Sequence, residues 1–192
     1  DPQGQIVSGE VKTDLPVLYS GRGNLYIARI KGILGSETNT VYRRSFLIEH
    51  HIRNIHRIGE DHFWCLQTAV HGTAAVYVPG ARYYYCLRDG SITNGYNRSR
   101  FPDSLVDAFY DNYFDCLRYA DSLPEDKQPY GRALAAKLGI TSIIQIIRSN
   151  VPDKRDKINA IYRVFPREAN TLTLLYRDRP TRFALWCLRH PA

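Results

Sequence analysis

Dense β-forming side chains fill the first half of the chain beyond residue 15. The stretches 17–19, 24–30, 40–48, 63–70, 74–78 and 82–87 are rich in valine, isoleucine, tyrosine and phenylalanine, a composition typical of strands. The links 71–73 and 79–81 are short and contain glycine, as antiparallel hairpins require. This pattern predicts an antiparallel sheet over about residues 15–88.

The spacing of apolar positions changes to three or four residues in the second half. Leu105, Val106, Phe109 and Tyr113 share one helical face, and Pro102 precedes them as a start signal. We predict helices over 104–119, over 131–148 with a break at Gly139, and over 153–164. Apolar β-forming residues near 171–188 indicate a strand that could return to the sheet. The predicted fold is therefore α+β, with the sheet packed against two or three helices.

One domain is expected from a chain of 192 residues. Residues 1–14 are polar and lack periodicity, so we interpret them as a flexible N-terminal arm and 15–192 as a single α+β domain. No run of about 18 apolar residues is present, so the sequence predicts no transmembrane segment. The chain begins at Asp1 and carries four cysteines, which leaves export open.

The four cysteines do not form a recognisable metal or redox motif. Cys65, Cys86, Cys116 and Cys187 are widely separated and stand among large apolar residues, where a thiol behaves as a small buried hydrophobe. We favour that interpretation over disulfides. Cys65 with His71 is the pattern of a thiol nucleophile and its base, but an apolar segment favours an inert thiol. We predict no metal site and no cofactor.

The chain is basic, with 26 Lys and Arg against 19 Asp and Glu and a formal charge of +7. Such an excess attracts nucleic acid, other phosphate-bearing ligands or acidic protein surfaces. We interpret the excess of basic residues as spread along the chain. The alternative to an acidic partner is therefore a basic surface that serves only solubility.

Arginine alternates with tyrosine in several segments, a combination that binds phosphate while an aromatic ring stacks on an unpaired base. The irregular stretch 89–100 is a further candidate contact surface, since long loops often carry function. The residues we predict to bind an acidic partner are Arg22, Tyr42, Arg43, Arg44, Arg82, Tyr84, Arg98 and Arg100.

Five of the six histidines lie between residues 50 and 71. These candidates for acid–base chemistry are His50, His51, His56, His62 and His71. Imidazole can gain or lose a proton near neutral pH, which suits it to proton transfer. Their spacing does not match the HExxH pattern of a zinc enzyme, so a proton-transfer role for one of them is favoured over a metal site. The alternative, which the sequence favours over both, is that these histidines are solvated or hydrogen-bonded for structural reasons.

Residues 132–142 resemble the first helix and turn of a helix-turn-helix motif. The residues that follow, Ile143, Ile144, Ile146 and Ile147, leave little polar surface with which a recognition helix could contact bases. The sequence therefore favours a buried core helix here.

These observations lead to three hypotheses about function. The first is a binding module whose basic, tyrosine-rich surface engages nucleic acid or another phosphate-bearing ligand. The second is a small phosphodiesterase-like or nuclease-like hydrolase that uses one of the five histidines. The third is an exported effector or immunity-type protein that binds an acidic protein surface. No resemblance to a family covers a substantial part of the chain.

Overall fold

The computed structural model describes residues 17–20, 40–56, 58–78 and 101–165. Within these ranges helices account for most residues. In chain order the elements are β1 (Val17–Ser20), α1 (Arg44–Glu49), α2 (Glu60–His71), β2 (Ala74–Tyr77), α3 (Asp103–Ser122), α4 (Gln128–Arg148) and α5 (Lys154–Arg163).

Helices α3 and α4 form an antiparallel hairpin that organises the core. At the open end of the hairpin, the Phe101 amide donates to the Arg148 carbonyl at 2.9 Å, and the Asn150 amide donates to Asp103 Oδ1 at 2.7 Å. Near the connected end Gly131 lets the helices approach closely, since a Cβ there would lie 3.0 Å from the Cβ of Ala120. Short connections favour antiparallel neighbours of this kind.

The predicted helical face of 104–119 is confirmed. Val106, Tyr113, Cys116 and Ala120 are all buried on α3, at successive spacings of seven, three and four residues, with Leu117 beside them. Helix α4 continues through Gly139 without the predicted break and buries most of its length. A buried core helix is therefore the correct account of this segment, and the turn of a helix-turn-helix motif is not formed.

The prediction of a strand at 63–70 is wrong, because this segment lies in α2. Its apolar residues are so dense that alternation and helical periodicity cannot be distinguished from the sequence. In the fold, Phe63, Leu66 and Val70 face the core formed with α3 and α4. Glu60 and Asp61 occupy the first turn, where negative charge stabilises a helix.

The strand predicted over 40–48 is also wrong, because Arg44–Glu49 form the short helix α1. The helix ends with a left-handed residue, His51, at φ 52°. The Ile52 amide donates to the Leu47 carbonyl and the His51 amide to the Ile48 carbonyl, which is the hydrogen-bond pattern of a Schellman motif. Ile52 is buried beyond this turn.

Strands in the described part of the chain are limited to the antiparallel pair β1 and β2, in which Val17 is opposite Tyr77 and Ser20 is opposite Ala74. The predicted α+β fold, with an antiparallel sheet over about 15–88 packed against helices, is therefore contradicted by a mostly helical structure. The predicted arm 1–14 and the stretches 24–30, 82–87, 89–100 and 171–188 lie outside the described residues. None of the described helices combines the length and hydrophobicity that a membrane span needs.

Lys157 links helix α5 to α3, because it forms ion pairs with two carboxylates. Lys157 Nζ lies 2.8 Å from Asp153 Oδ2 and 3.0 Å from Asp107 Oδ1. It also lies 4.8 Å from the centre of the Tyr110 ring, a cation–π distance. The hydrogen bond from Lys157 lowers the pKa of Asp153 below its usual value.

We expect the stability contributed by Asp153 to depend on pH. A carboxyl group whose pKa is lowered by folding stabilises the protein above its unfolded pKa, and that contribution disappears as pH falls through the folded value. The variant Asp153→Asn should unfold at lower urea than the wild type at pH 7, and the two midpoints should converge in acid. Asp156→Asn, an exposed neighbour on α5, is the control. A difference that persists unchanged into acid would contradict the expected linkage.

Candidate functional site

Two of the predicted acid–base residues, His50 and His71, meet in the structure. Their rings are stacked, with centroids 4.6 Å apart and planes inclined by 21°. His50 follows the last residue of α1, and His71 is the last residue of α2. Contact between α1 and α2 therefore brings together two residues that are separated in the sequence.

Both ring nitrogens of His71 have partners. Nδ1 lies 3.3 Å from Lys127 Nζ, and Nε2 lies 2.8 Å from Tyr119 Oη. A lysine ammonium can only donate, so Nδ1 accepts from Lys127 and the ring proton is on Nε2, which donates to Tyr119. We call His50, His71, Tyr119 and Lys127 the histidine cluster.

Aromatic side chains frame the histidine cluster. Phe46 packs edge-on against His50 with centroids 5.1 Å apart, and Phe63 packs in the same way against Tyr119 at 5.3 Å. Burial raises the pKa of Tyr119 above its usual value, so its hydroxyl keeps its proton at neutral pH. The four members of the cluster are half-buried.

Gln67 holds the loop after α1 against α2. This buried side chain donates from Nε2 to the Arg53 carbonyl at 2.8 Å and accepts from the Arg53 amide through Oε1 at 3.2 Å. Two complementary bonds to one backbone unit fix the path of the loop. Gln67 therefore fixes the backbone at Arg53, three residues after His50.

The other three predicted histidines lie elsewhere. His51 is exposed at the turn that ends α1. His56 Nε2 is 3.2 Å from Asp115 Oδ2 without forming a hydrogen bond. His62 is in the first turn of α2, about 14 Å along the helix from His71 at the helical rise per residue. Of the five candidate histidines, His50 and His71 are the two whose rings stack together in the described structure.

A small cavity lies beside His62. Its volume is about 20 Å³, enough for one water molecule. It is lined by His62, Leu66, Cys116, Leu134, Lys137 and Leu138. Across residues 17–20, 40–56, 58–78 and 101–165, no three histidine, cysteine or acidic side chains are arranged to hold a metal ion.

Neither a protein-family model, nor a curated protein, nor a solved structure matches the chain. The function must therefore be argued from the chain's own residues.

Of the predicted binding residues, three are described. Arg43 and Arg44 are exposed at the start of α1. Tyr42 is half-buried and packs edge-on against Trp64 with centroids 5.6 Å apart, so its ring is engaged within the protein. The other predicted contacts, Arg22, Arg82, Tyr84, Arg98 and Arg100, lie outside the described residues.

Charge is distributed unevenly between the described residues and the rest of the chain. The described residues contain as many acidic as basic side chains, twelve of each. The formal excess of +7 therefore lies in the remaining segments, where it is divided among 21–39, Arg57, 79–100 and 166–192, in agreement with the interpretation that it is spread along the chain.

Two cysteines are described, and both are buried free thiols. Burial raises the pKa of the Cys116 thiol, and the neighbouring charge of Asp115 raises it further. Cys65 is only 2% exposed. The interpretation of these two residues as small buried hydrophobes is confirmed, and Cys86 and Cys187 lie outside the described residues.

Sequence reasoning missed Tyr119 and Lys127. Tyr119 is the last residue of the predicted helix 104–119. Lys127 lies in the polar link between that helix and the next predicted one. Neither position belongs to a motif. They lie 48 and 56 residues beyond His71, so no local signal in the sequence connects them to it.

Proposed function

We propose that the chain binds phosphate-bearing ligands, with nucleic acid the leading candidate, and that the histidine cluster is part of the contact. The observation that carries the proposal is the stacked pair of His50 and His71 with the Lys127 ammonium at one ring nitrogen. Ammonium and imidazole N–H groups donate to phosphate oxygens. Lys127 uses one of its three donors on His71 and can present another to an anion.

The remaining charge of the chain supports the same proposal. The segments outside the described residues carry the whole basic excess, and a net positive charge accelerates encounters with polyanions. Arg43 and Arg44 add two exposed guanidinium groups in the described part. Arg98 and Arg100 belong to the predicted contact loop 89–100.

Binding to labelled single-stranded RNA, single-stranded DNA, duplex DNA and adenosine monophosphate, each at several salt concentrations, tests this proposal. We expect affinity that falls steeply with salt, and a shallower salt slope when Arg43, Arg44, Arg98 and Arg100 are all changed to glutamine. A matched control removes the same charge from exposed arginines of α3, α4 and α5: Arg118, Arg148, Arg155 and Arg163.

Equal losses in the two quadruple variants would mean that only net charge matters and would contradict a defined contact surface. No binding to any of the four ligands would overturn the proposal and favour an acidic protein surface as the partner.

A second candidate function is hydrolysis of a phosphodiester. The hydrogen bond between His71 Nε2 and Tyr119 Oη links an imidazole to a neutral hydroxyl, an arrangement that suits general acid–base catalysis. Checking the length of the labelled RNA after incubation tests this candidate. Cleavage that is lost in His71→Gln would support it, and cleavage with a pH–rate profile unchanged by substitution of each histidine would exclude a histidine mechanism.

A further inference from the structure

The side chains in contact with His71 couple the binding of an anion to protonation of the His71 ring. This inference rests on the proposed function. We infer that a phosphate group binds to the histidine cluster together with one proton, which His71 takes up at Nδ1.

In the ligand-free protein, Nδ1 of His71 is an acceptor. It receives a hydrogen bond from Lys127 at 3.3 Å, while Nε2–H donates to Tyr119 at 2.8 Å. An unprotonated Nδ1 carries a lone pair and repels the oxygen of an anion. The neutral ring is therefore a poor direct partner for phosphate.

A phosphate oxygen placed between Lys127 and His71 reverses the role of Nδ1. The oxygen accepts from the Lys127 ammonium, and the Lys127–His71 hydrogen bond is broken. For His71 to contact the same oxygen, Nδ1 must carry a proton, which comes from solvent. The step forms one N–H bond on Nδ1 and two charge-assisted hydrogen bonds to the anion, with no other covalent change.

The location of His71 at the end of α2 strengthens this coupling. The C-terminal end of a helix carries partial negative charge, which stabilises a cation and disfavours an anion. Without its proton, the site opposes phosphate through both the Nδ1 lone pair and the helix end. Once Nδ1 is protonated, it no longer carries a lone pair, and the positive charge of the ring offsets the negative charge of the helix end.

Within the described part of the chain, three titratable groups contact the His71 ring, each from a different part of the fold. His50 stacks on it from the end of α1, Tyr119 contacts it from α3, and Lys127 contacts it from the link between α3 and α4. The raised pKa of Tyr119 keeps that hydroxyl neutral between pH 6 and 8. Protonating both stacked rings would bring two cations to 4.6 Å, so one proton is taken up per anion.

Inorganic sulfate is a suitable probe, because it resembles a phosphate dianion but does not itself titrate between pH 6 and 8. Its dissociation constant is measured on the full chain by NMR titration at pH 6, 7 and 8 and constant ionic strength. We expect the affinity to fall about tenfold per pH unit above the titration of His71. In the ligand-free protein, histidine nitrogen shifts should identify the tautomer of His71 that carries its proton on Nε2.

The key variant is His71→Gln. Its amide oxygen can accept from Lys127 and its amide nitrogen can donate to Tyr119, but it cannot take up a proton. Sulfate binding to this variant should be weak and nearly independent of pH. His51→Gln, which alters an exposed histidine outside the cluster, should keep the pH dependence of the wild type.

Sulfate binding that does not depend on pH, or a pH dependence retained in His71→Gln, would overturn the inference while leaving the proposed function intact. Failure of sulfate to bind at pH 6 would overturn it as well. If adenosine monophosphate and the nucleic acids also fail to bind, the proposed function falls with it.

Discussion

Changing Gly139 to alanine should destabilise the protein by about 1–2 kcal/mol, even though alanine is the better helix former by about 1 kcal/mol. A Cβ at this position would lie 2.7 Å from Cε2 of Tyr113, closer than van der Waals contact allows, and 3.3 Å from Cε2 of Phe165. Tyr113 is fully buried, so its ring cannot move aside without disturbing the core. Urea unfolding midpoints measure the effect.

Two partner variants show whether the Tyr113 ring causes this cost. In a Tyr113→Leu background the atom Cε2 is absent, and Gly139→Ala should become neutral or stabilising. In a Tyr113→Phe background Cε2 remains, and the substitution should stay destabilising. The Tyr113 hydroxyl has no hydrogen-bond partner in the described part of the chain, so its removal does not confound the comparison. Equal effects of Gly139→Ala in all three backgrounds would exclude the contact as the cause.

Reversing the charge of Lys127 should weaken binding of adenosine monophosphate by a factor on the order of one hundred at low salt. Two unit charges about 4 Å apart interact by about 1 kcal/mol in water and by about 4 kcal/mol near a protein surface. Lys127→Glu converts an attraction near the solvated end of this range into a repulsion, a change of about 3 kcal/mol, which is about a hundredfold in affinity. Salt reduces the effect. The measurement is the dissociation constant at two salt concentrations.

Arg155→Glu is the matched control for Lys127→Glu. It makes the same change in net charge at an exposed position on α5, and we expect it to alter the affinity by no more than a few fold. Unfolding midpoints of both variants check that the fold is retained. If the two variants weaken binding equally, Lys127 is not a direct contact and the histidine cluster is not the site.

The two halves of the described fold were not equally predictable. In α3, buried residues recur among exposed ones at helical spacing, so the period could be recognised from the sequence. In 63–70 almost every side chain is apolar, and β-forming residue types favoured the wrong element. Packing against α3 and α4 selected the helix, which shows that tertiary contacts overrode local propensity.

The candidate site was predictable only as a list of residue types. The density of histidines between residues 50 and 71 pointed to acid–base chemistry. It did not reveal that His50 and His71 meet while His51, His56 and His62 lie elsewhere. Tyr119 and Lys127 stand 48 and 56 residues from His71 in the sequence, so no local pattern could connect them.

The sequence by itself determined the α3, α4 and α5 helices, the β-forming character of 74–77 and the burial of Cys65 and Cys116, because these follow from local periodicity and the hydrophobicity of individual segments. Only the tertiary structure decided the helical state of α1 and α2, the passage of α4 through Gly139 and the composition of the histidine cluster. These features depend on contacts between segments far apart in the chain, where shape and close packing rather than local preference determine which arrangement has the lowest free energy.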